Sequence, residues 1–311
     1  MVIAVIGGAG FIGRRVVRLL AARGQEVVSM DINPAPLFED LGTQVRAVRA
    51  DLTRFEDVAA TLATHKPEAV VNLSYMIGDY PPRPAMKVNV LGMDNCFEAA
   101  RLCDVDHVVY ASSIAVNGSQ RRYGNRPIEE TDPVAPATQY AVHKVFNDWQ
   151  AKEYREKHGM CITSVRIANV SGVDKVMGSV DHVRCIVDPA TGGKVSLGYR
   201  DKMRCIVYVD EIAEVFVRVA LKARPDHTIY NSGGETLSLG QIADMVKKVI
   251  PEADISFEHE TGGENGPGAG PYLFSNDRLA GEFGVRYLPY ERRVAQMIDI
   301  ARQGSNSLAV P

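Results

Sequence analysis

The stretch Val2-Ile-Ala-Val-Ile-Gly-Gly-Ala-Gly-Phe-Ile-Gly13 decides how the rest of this chain is read. Five apolar residues in a row predict a short strand buried on both faces, and residues 11–23 carry apolar positions at helical spacing. Between them the glycines fit two frames, Gly8-x-Gly10-x-x-Gly13 and Gly7-x-x-Gly10-x-x-Gly13. Glycine at a strand-to-helix turn permits a tight reversal and lets backbone approach a pyrophosphate, which then sits at the positive end of the helix. The glycines alone would suit a merely structural turn. The strand before them and the helix after them make a dinucleotide site the expectation.

Working outward, Asp31 closes a second strand (26–30), 18 residues past Gly13. A carboxylate there accepts hydrogen bonds from the adenosine ribose hydroxyls and repels a 2′-phosphate. Ile32, Asn33 and Pro34 offer no guanidinium to recruit that phosphate, so NAD is expected rather than NADP. Arg14 and Arg15 face either solvent or the diphosphate. Asp51 and Leu52 close a third strand (45–50), where an aspartate either meets the adenine amino group or simply ends the strand.

The alternation continues: a helix at 55–65, a strand at 69–73, a Pro-rich turn at 80–84 leading into a helix that runs to 102, a strand at 107–111, a helix at 137–158 and a strand at 161–168. Near-continuous Val/Ile/Leu strands alternating with helices predict an α/β fold, a Rossmann-type doubly wound parallel sheet covered on both faces. After residue 168 the pattern loosens. Short strands at 194–197, 228–231 and 254–257 mix with helices at 209–222, 238–250 and 291–302, and residues 262–271 read as a loop by composition. The expected organisation is an NAD-binding domain over 1–168, with segments near 195–230 returning to it. A smaller C-terminal α/β substrate lobe takes most of 169–303, and 304–311 is a frayed tail.

Composition excludes several other classes. The 35 basic and 38 acidic residues leave a net charge of −3, so no nucleic-acid partner is expected. No apolar run reaches the roughly 18 residues of a membrane span. The start of the chain has neither a basic n-region nor a small-residue cleavage site, and a soluble cytoplasmic enzyme is expected. Five widely spaced cysteines without a CxxC pair argue against a disulfide framework and structural zinc, and seven scattered histidines show no metal-ligand spacing, so no metal is expected.

The chemistry is expected at two places where a parallel sheet would bring side chains beside a nicotinamide. Tyr110-Ala-Ser-Ser-Ile-Ala-Val-Asn-Gly118 ends the fifth strand, and Tyr140-Ala-Val-His-Lys144 lies on the following helix. Four-residue helical spacing places the phenol and the ammonium on one face, about 5–6 Å apart at Cβ. A nearby ammonium favours the phenolate, which suits Tyr140 to general-base work, with Ser113 or Ser112 holding the substrate oxygen. His143 is one step off that face. Phe146 and Trp149 read as buried helix contacts or as part of a dimer face, and Glu129-Glu130 as solvated turn residues.

Together these motifs resemble the extended short-chain dehydrogenase/reductase superfamily, in its NAD-dependent epimerase/dehydratase branch with UDP-galactose 4-epimerase-like enzymes. Asn89 in Val88-Asn-Val-Leu-Gly92 matches that family's helix asparagine. Val165-Arg-Ile-Ala-Asn-Val-Ser-Gly172 resembles its strand-end Arg-x-x-Asn-x-x-Gly, and Arg204-Cys-Ile-Val-Tyr-Val-Asp-Glu-Ile-Ala213 its Arg-Asp-Phe-Ile-Tyr-Val-Asp-Asp-Val-Ala segment. The resemblance implies that Ser113, rather than Ser112, is catalytic with Tyr140 and Lys144. It implies that Gly7, Gly10, Phe11, Ile12, Gly13, Asp31, Asp51, Leu52, Leu73, Ser74, Asn89, Tyr140, Lys144 and Ile167 hold NAD. Asn169 and Arg204 would line the substrate site with Ser113. Tyr75 and Met76 either do the same or pack under their loop. Pairing through helices 84–102 and 137–158 would make a homodimer.

Departures from the family narrow the reaction. Its 4,6-dehydratases carry an acidic pair after the catalytic hydroxyl, where this chain has Ile114 and Ala115, so water elimination is not expected. Its nucleotide-sugar enzymes clamp the diphosphate with two arginines, which suit phosphate through paired charge-assisted bonds. Arg204 supplies one. In place of the second, carried by an Arg-Pro-Gly segment, stands Asn265-Gly-Pro-Gly-Ala-Gly-Pro271, and Arg278 nearby reads as a helix-face residue. The expected function is hydride transfer between NAD and a small polar secondary alcohol or its ketone, sugar-like or hydroxy-acid-like. A 4-epimerase with tightly held NAD is the alternative, and a catalytically idle NAD-binding scaffold a third reading.

Overall fold

The computed structural model describes residues 1–34, 36–263 and 269–304. The opening stretch forms strand β1 (Val2–Ile6) and helix α1 (Gly13–Ala22), followed by β2 (Glu26–Asp31), β3 (Val45–Arg49), α2 (Phe55–His65) and β4 (Ala69–Asn72). The helix expected to run to residue 102 is three pieces: α3 (Pro82–Met86), a π-helical turn (Lys87–Leu91) and α4 (Gly92–Leu102). Next come β5 (His107–Ser113), α5 (Gln139–His158), β6 (Cys161–Ile167) and the short β7 (Asn169–Ser171). Thr138 caps α5 by accepting the Ala141 amide, and Gly159 ends it in the left-handed region at φ +68°.

The later part comprises α6 (Asp181–Ala190), β8 (Val195–Tyr199), β9 (Met203–Tyr208), α7 (Val209–Leu221), β10 (Ile229–Asn231), β11 (Glu235–Ser238), α8 (Leu239–Val249), β12 (Ile255–His259), α9 (Asp277–Phe283) and α10 (Tyr290–Gln303). The main sheet has seven parallel strands in the order β10-β6-β5-β4-β1-β2-β3. The order reverses beside β1, which opens the crevice above its carboxyl end where doubly wound folds bind ligands. Within 195–230, α7 and β10 serve this sheet, whereas β8 pairs with β12 and β9 joins β7 and β11 in two small sheets. Residues 264–268 of the expected 262–271 loop, and 305–311 of the expected tail, lie outside the described residues.

Strand alternation explains why the sheet is covered twice. Ile3 and Val5 belong to one core with Val16, Val17 and Leu20 of α1 and most of α7. Ala4 and Ile6 belong to the other, with Val58 and Leu62 of α2 and Phe97 of α4. All these side chains are essentially buried, and each branched or aromatic one adds about 1.5–3 kcal/mol relative to exposure.

Candidate active site

At the end of β1 the glycine turn is fastened by backbone. The Gly7 and Gly8 amides donate to the Met30 carbonyl at 2.8 and 3.1 Å, and Leu73 N–H to the Ile6 carbonyl at 2.9 Å. Gly7 has φ +78°, and a Cβ there would stand 2.8 Å from Ser74 N. A Cβ on Gly13 would stand 2.0 Å from the Gly7 carbonyl oxygen. The turn therefore admits no side chain at either position, and its close approach leaves the crevice to backbone amides, as a dinucleotide requires. Asp31 stands at the end of the neighbouring strand, where Oδ2 accepts the Ala9 amide and Oδ1 the Asn33 amide, both at 3.1 Å. These residues fit NAD.

Other expected cofactor residues divide. Phe11 rests on Gly172, Leu73 and Ser74 flank Gly7, and Ile167 ends β6 opposite Ser113. Ala50 N–H bonds the Asp31 carbonyl, which brings Asp51 beside the crevice, although its Oδ1 is used by the Thr53 amide. Leu52 is buried against Gly92. The Asn89 side chain is occupied twice by the Met76 backbone, at 2.8 and 3.0 Å, so it fastens the loop after β4. Arg14 and Arg15 are committed to carboxylates rather than left for a diphosphate. Both pair with Asp174, and Arg15 also bonds Asp210 and the Phe11 carbonyl.

The catalytic candidates meet at the ends of β5 and α5. Ser113 is the last residue of β5; its Oγ accepts the Ala115 amide at 3.2 Å and lies close enough to the Tyr140 phenol, on the first turn of α5, to lower its pKa. Ser112 points the other way, fully buried, with no partner for its hydroxyl among the described residues. Lys144 is 2% exposed; its Nζ donates to the Ala111 carbonyl and sits 3.2 Å from the centroid of the Tyr75 ring. The Tyr140 ring centroid is 5.7 Å away. The expected depression of the phenol is not seen in this arrangement: burial raises the Tyr140 pKa, with Ser113 opposing. The ammonium is spent on a carbonyl and an aromatic face, and burial holds its own pKa well down, with Asp148 opposing. Tyr75 donates to Asn147 Oδ1 at 3.1 Å and meets Tyr140 edge-on at 5.5 Å, so it both packs and borders the site.

Beyond β6 the chain supplies a charged group that sequence reading had seen only in part. Asn169 opens β7, opposite Ile206 of β9. Arg204 of β9 bonds Asp181 at 2.6 and 3.2 Å, and Lys202 approaches the same carboxylate at 3.3 Å. Lys175 and the buried His182 both bond the Val170 carbonyl, at 2.7 and 3.0 Å. No spacing in the sequence signals Lys175 or His182, because the loop before α6 carries the first and the start of α6 the second, both brought to the Val170 carbonyl only by the fold.

Two further expectations are corrected. Phe146 and Trp149 are 42% and 52% exposed, stacked on each other at 5.8 Å, because they lie on the outer face of α5. Glu130 is buried rather than solvated; it accepts the Asn231 amide at 2.8 Å and pairs with Arg278 at 3.4 Å. Arg278 also bonds the Ile229 carbonyl, so it is committed to the edge of the sheet.

A parallel sheet with a glycine turn at β1 and a Ser/Tyr/Lys group at β5 and α5 defines an NAD-dependent enzyme of the short-chain dehydrogenase/reductase type. The chain belongs to the NAD dependent epimerase/dehydratase family, whose sequence profile matches residues 3–233. It is 32% identical over 250 residues to a UDP-glucose 4-epimerase of Mycolicibacterium smegmatis, covering 76% of each chain. Among solved structures it is similar to the Thermus thermophilus UDP-glucose 4-epimerase complex with NAD, at 26% identity and a TM-score of 0.84 over 98% of this chain and 100% of that one. An L-threonine dehydrogenase from Cupriavidus necator, at 20% identity and a TM-score of 0.82 over 96% and 99%, shares the fold. No described helix is long and apolar enough to cross a membrane.

Proposed function

We propose that this enzyme transfers hydride between NAD and the carbinol carbon of a small polar secondary alcohol, with Tyr140 as acid and base. Gly7, Gly10, Gly13, Asp31 and Ser74 would hold the dinucleotide, which when bound supplies the hydride acceptor. In oxidation the Tyr140 phenolate takes the hydroxyl proton while the C–H electron pair leaves as hydride; reduction returns both. Ser113 would bond the reacting oxygen and, beside the phenol, lowers its pKa and so favours the phenolate. Lys144 stands one helical turn away, where burial disfavours its charged form and Asp148 opposes that.

The observation that carries the small-substrate reading is the commitment of the two candidate clamp arginines. Arg204 is engaged by Asp181, and Arg278 by Glu130 and the Ile229 carbonyl. A 4-epimerase acting on a nucleotide sugar is the second reading, favoured by the names of the relatives. The two differ in cofactor traffic. With a panel of sugar acids, hydroxy acids and polyols, a dehydrogenase accumulates NADH at 340 nm. An epimerase turns over nucleotide sugars without net NADH, and UDP raises its Tm. UDP-dependent stabilisation with no NADH from any small alcohol would overturn the first reading.

We also propose a homodimer through α5 and the neighbouring α3–α4 segment, where Val142, Phe146, Trp149, Met86 and Leu91 leave an exposed apolar face suited to a second copy of itself. Sedimentation should show the Phe146→Glu, Trp149→Glu double variant as a monomer.

A further inference from the structure

The loop between β7 and α6 holds a lysine that neither the catalytic group nor the dinucleotide turn uses. Lys175 is half-buried, and among the described residues its ammonium has one hydrogen-bond partner, the Val170 carbonyl at 2.7 Å. An ammonium carries three donors. The nearest acid of the group, Asp181, is already bonded by Arg204 at 2.6 Å and approached by Lys202 at 3.3 Å. His182, on the same carbonyl as Lys175, is held neutral by burial, with Asp181 opposing. A half-buried ammonium without a carboxylate of its own is costly to keep unless something anionic reaches it.

The position is built. Asp174, next in the chain, is gripped by Arg14 and Arg15 of α1, and Gly172 seats Phe11, whose ring a Cβ there would meet at 2.9 Å. The loop is thereby tied to the helix of the glycine turn. Gly178 closes it against Ile77 of the loop after β4. Val170 lies three residues past Ile167, the register partner of Ser113, so its Cα is at most about 11 Å from that of Ile167 and about 16 Å from that of Ser113. An extended small molecule whose carbinol carbon sits at Ser113 and Tyr140 can span that distance.

We infer that Lys175, flanked by Lys202 and Arg204, is the subsite for a single anionic group on the substrate, a carboxylate or a phosphate monoester. The inference rests on the small-alcohol reading and gives that substrate its class: an alcohol bearing one anion at the end away from the reacting carbon. A carboxylate and a phosphate share the charge and the acceptor oxygens that an ammonium recognises, and the test separates them. Lys175 is also the group of the cluster that titrates near neutrality. Burial and Arg204 push it down to about 8 while Asp181 opposes; His182 on the same carbonyl is neutral, Lys202 lies on Asp181, and Asp174, the preceding residue, pairs with Arg14 and Arg15. Anion affinity should therefore be full below that value and fade as pH rises through it.

The test uses the NAD-loaded full chain at constant ionic strength, melted with inorganic phosphate in one arm and with glycolate or malonate in another. One arm should raise the Tm by about 2–4 °C at ten times its half-saturating concentration. Lys175→Met should lose that rise and Lys175→Arg keep it, and wild type should lose it above pH 8. The arm that responds names the anion. A rise equal in wild type and Lys175→Met, or none with any small anion, overturns the inference, as does UDP stabilisation that ignores Lys175. Should Lys175→Met melt without cooperativity, acetic anhydride labelling of wild type read by peptide mass mapping replaces it. Protection of Lys175 by the responding anion supports the subsite, and equal labelling overturns it. Tyr140→Phe separates the two proposals, since it should abolish NADH formation and leave the anion-dependent rise intact.

Discussion

At the glycine turn nearly every contact is backbone to backbone: Gly7 and Gly8 to Met30, Leu73 to Ile6, and Gly13 packed on the Gly7 carbonyl. Around Lys175 nearly every contact is made by a charged side chain, drawn from α1, the 172–180 loop, α6 and β9. The first region is a shape that glycine alone permits, and any side chain destroys it. The second is a balance of charge, where isosteric neutral substitutions should leave the shape and change the affinity. Between them stands the Ser113/Tyr140 pair, on which the proposed proton transfer turns.

The strongest way to break this comparison is at its middle. Tyr140→Phe is expected to lower kcat by about 10²–10⁴-fold while NAD still raises the Tm, because only the proton-transfer group is lost. Next comes the rigid end. In Gly13→Ala the added methyl must displace the Gly7 carbonyl, an overpacking of about 1–3 kcal/mol, so NAD affinity by fluorescence titration should fall by about 5- to 150-fold. If that variant bound NAD as wild type does, the turn would be no cradle.

A smaller effect is expected from Asp31→Asn, which removes the charge and spares the shape. Loss of one charge-assisted hydrogen bond of about 1.5–3 kcal/mol should weaken NAD at least tenfold, and the gap between NAD and NADP should narrow. An unchanged preference would move the ribose selectivity elsewhere. The smallest is Ser113→Ala, read in the pH profile. The serine lowers the Tyr140 pKa, so without it the phenol sits higher and the acid limb of the oxidation rate must move to higher pH. A limb that stayed in place would mean that some other group titrates there.

Particular residues show how far reading the chain can go. The glycine frame, Asp31, Ser113 and the Tyr140-x-x-x-Lys144 pair were legible because each is local: a turn, a strand end, one helical period. The orientation of Lys144 was not, since its ammonium goes to Ala111 on β5 and to the ring of Tyr75 on the loop after β4, 69 positions earlier in the chain. Of the two readings for Phe146 and Trp149, buried helix contacts or a dimer face, the first does not hold, because helical periodicity cannot say which face of α5 meets the sheet. Glu130 was assigned to solvent, and its burial depends on Asn231 and Arg278, more than 100 positions away.

The order of apolar runs and turns by itself determined a doubly wound parallel sheet with a dinucleotide crevice at β1, because strand burial, helical period and glycine's freedom at φ +78° act within a few residues of one another. Only the tertiary structure decided where the charges go: Arg14 and Arg15 to Asp174, Arg204 to Asp181, Lys175 to the Val170 carbonyl. Coulombic and hydrogen-bonding partners are chosen by distance in space, and that distance exists only once the loops have folded onto the sheet.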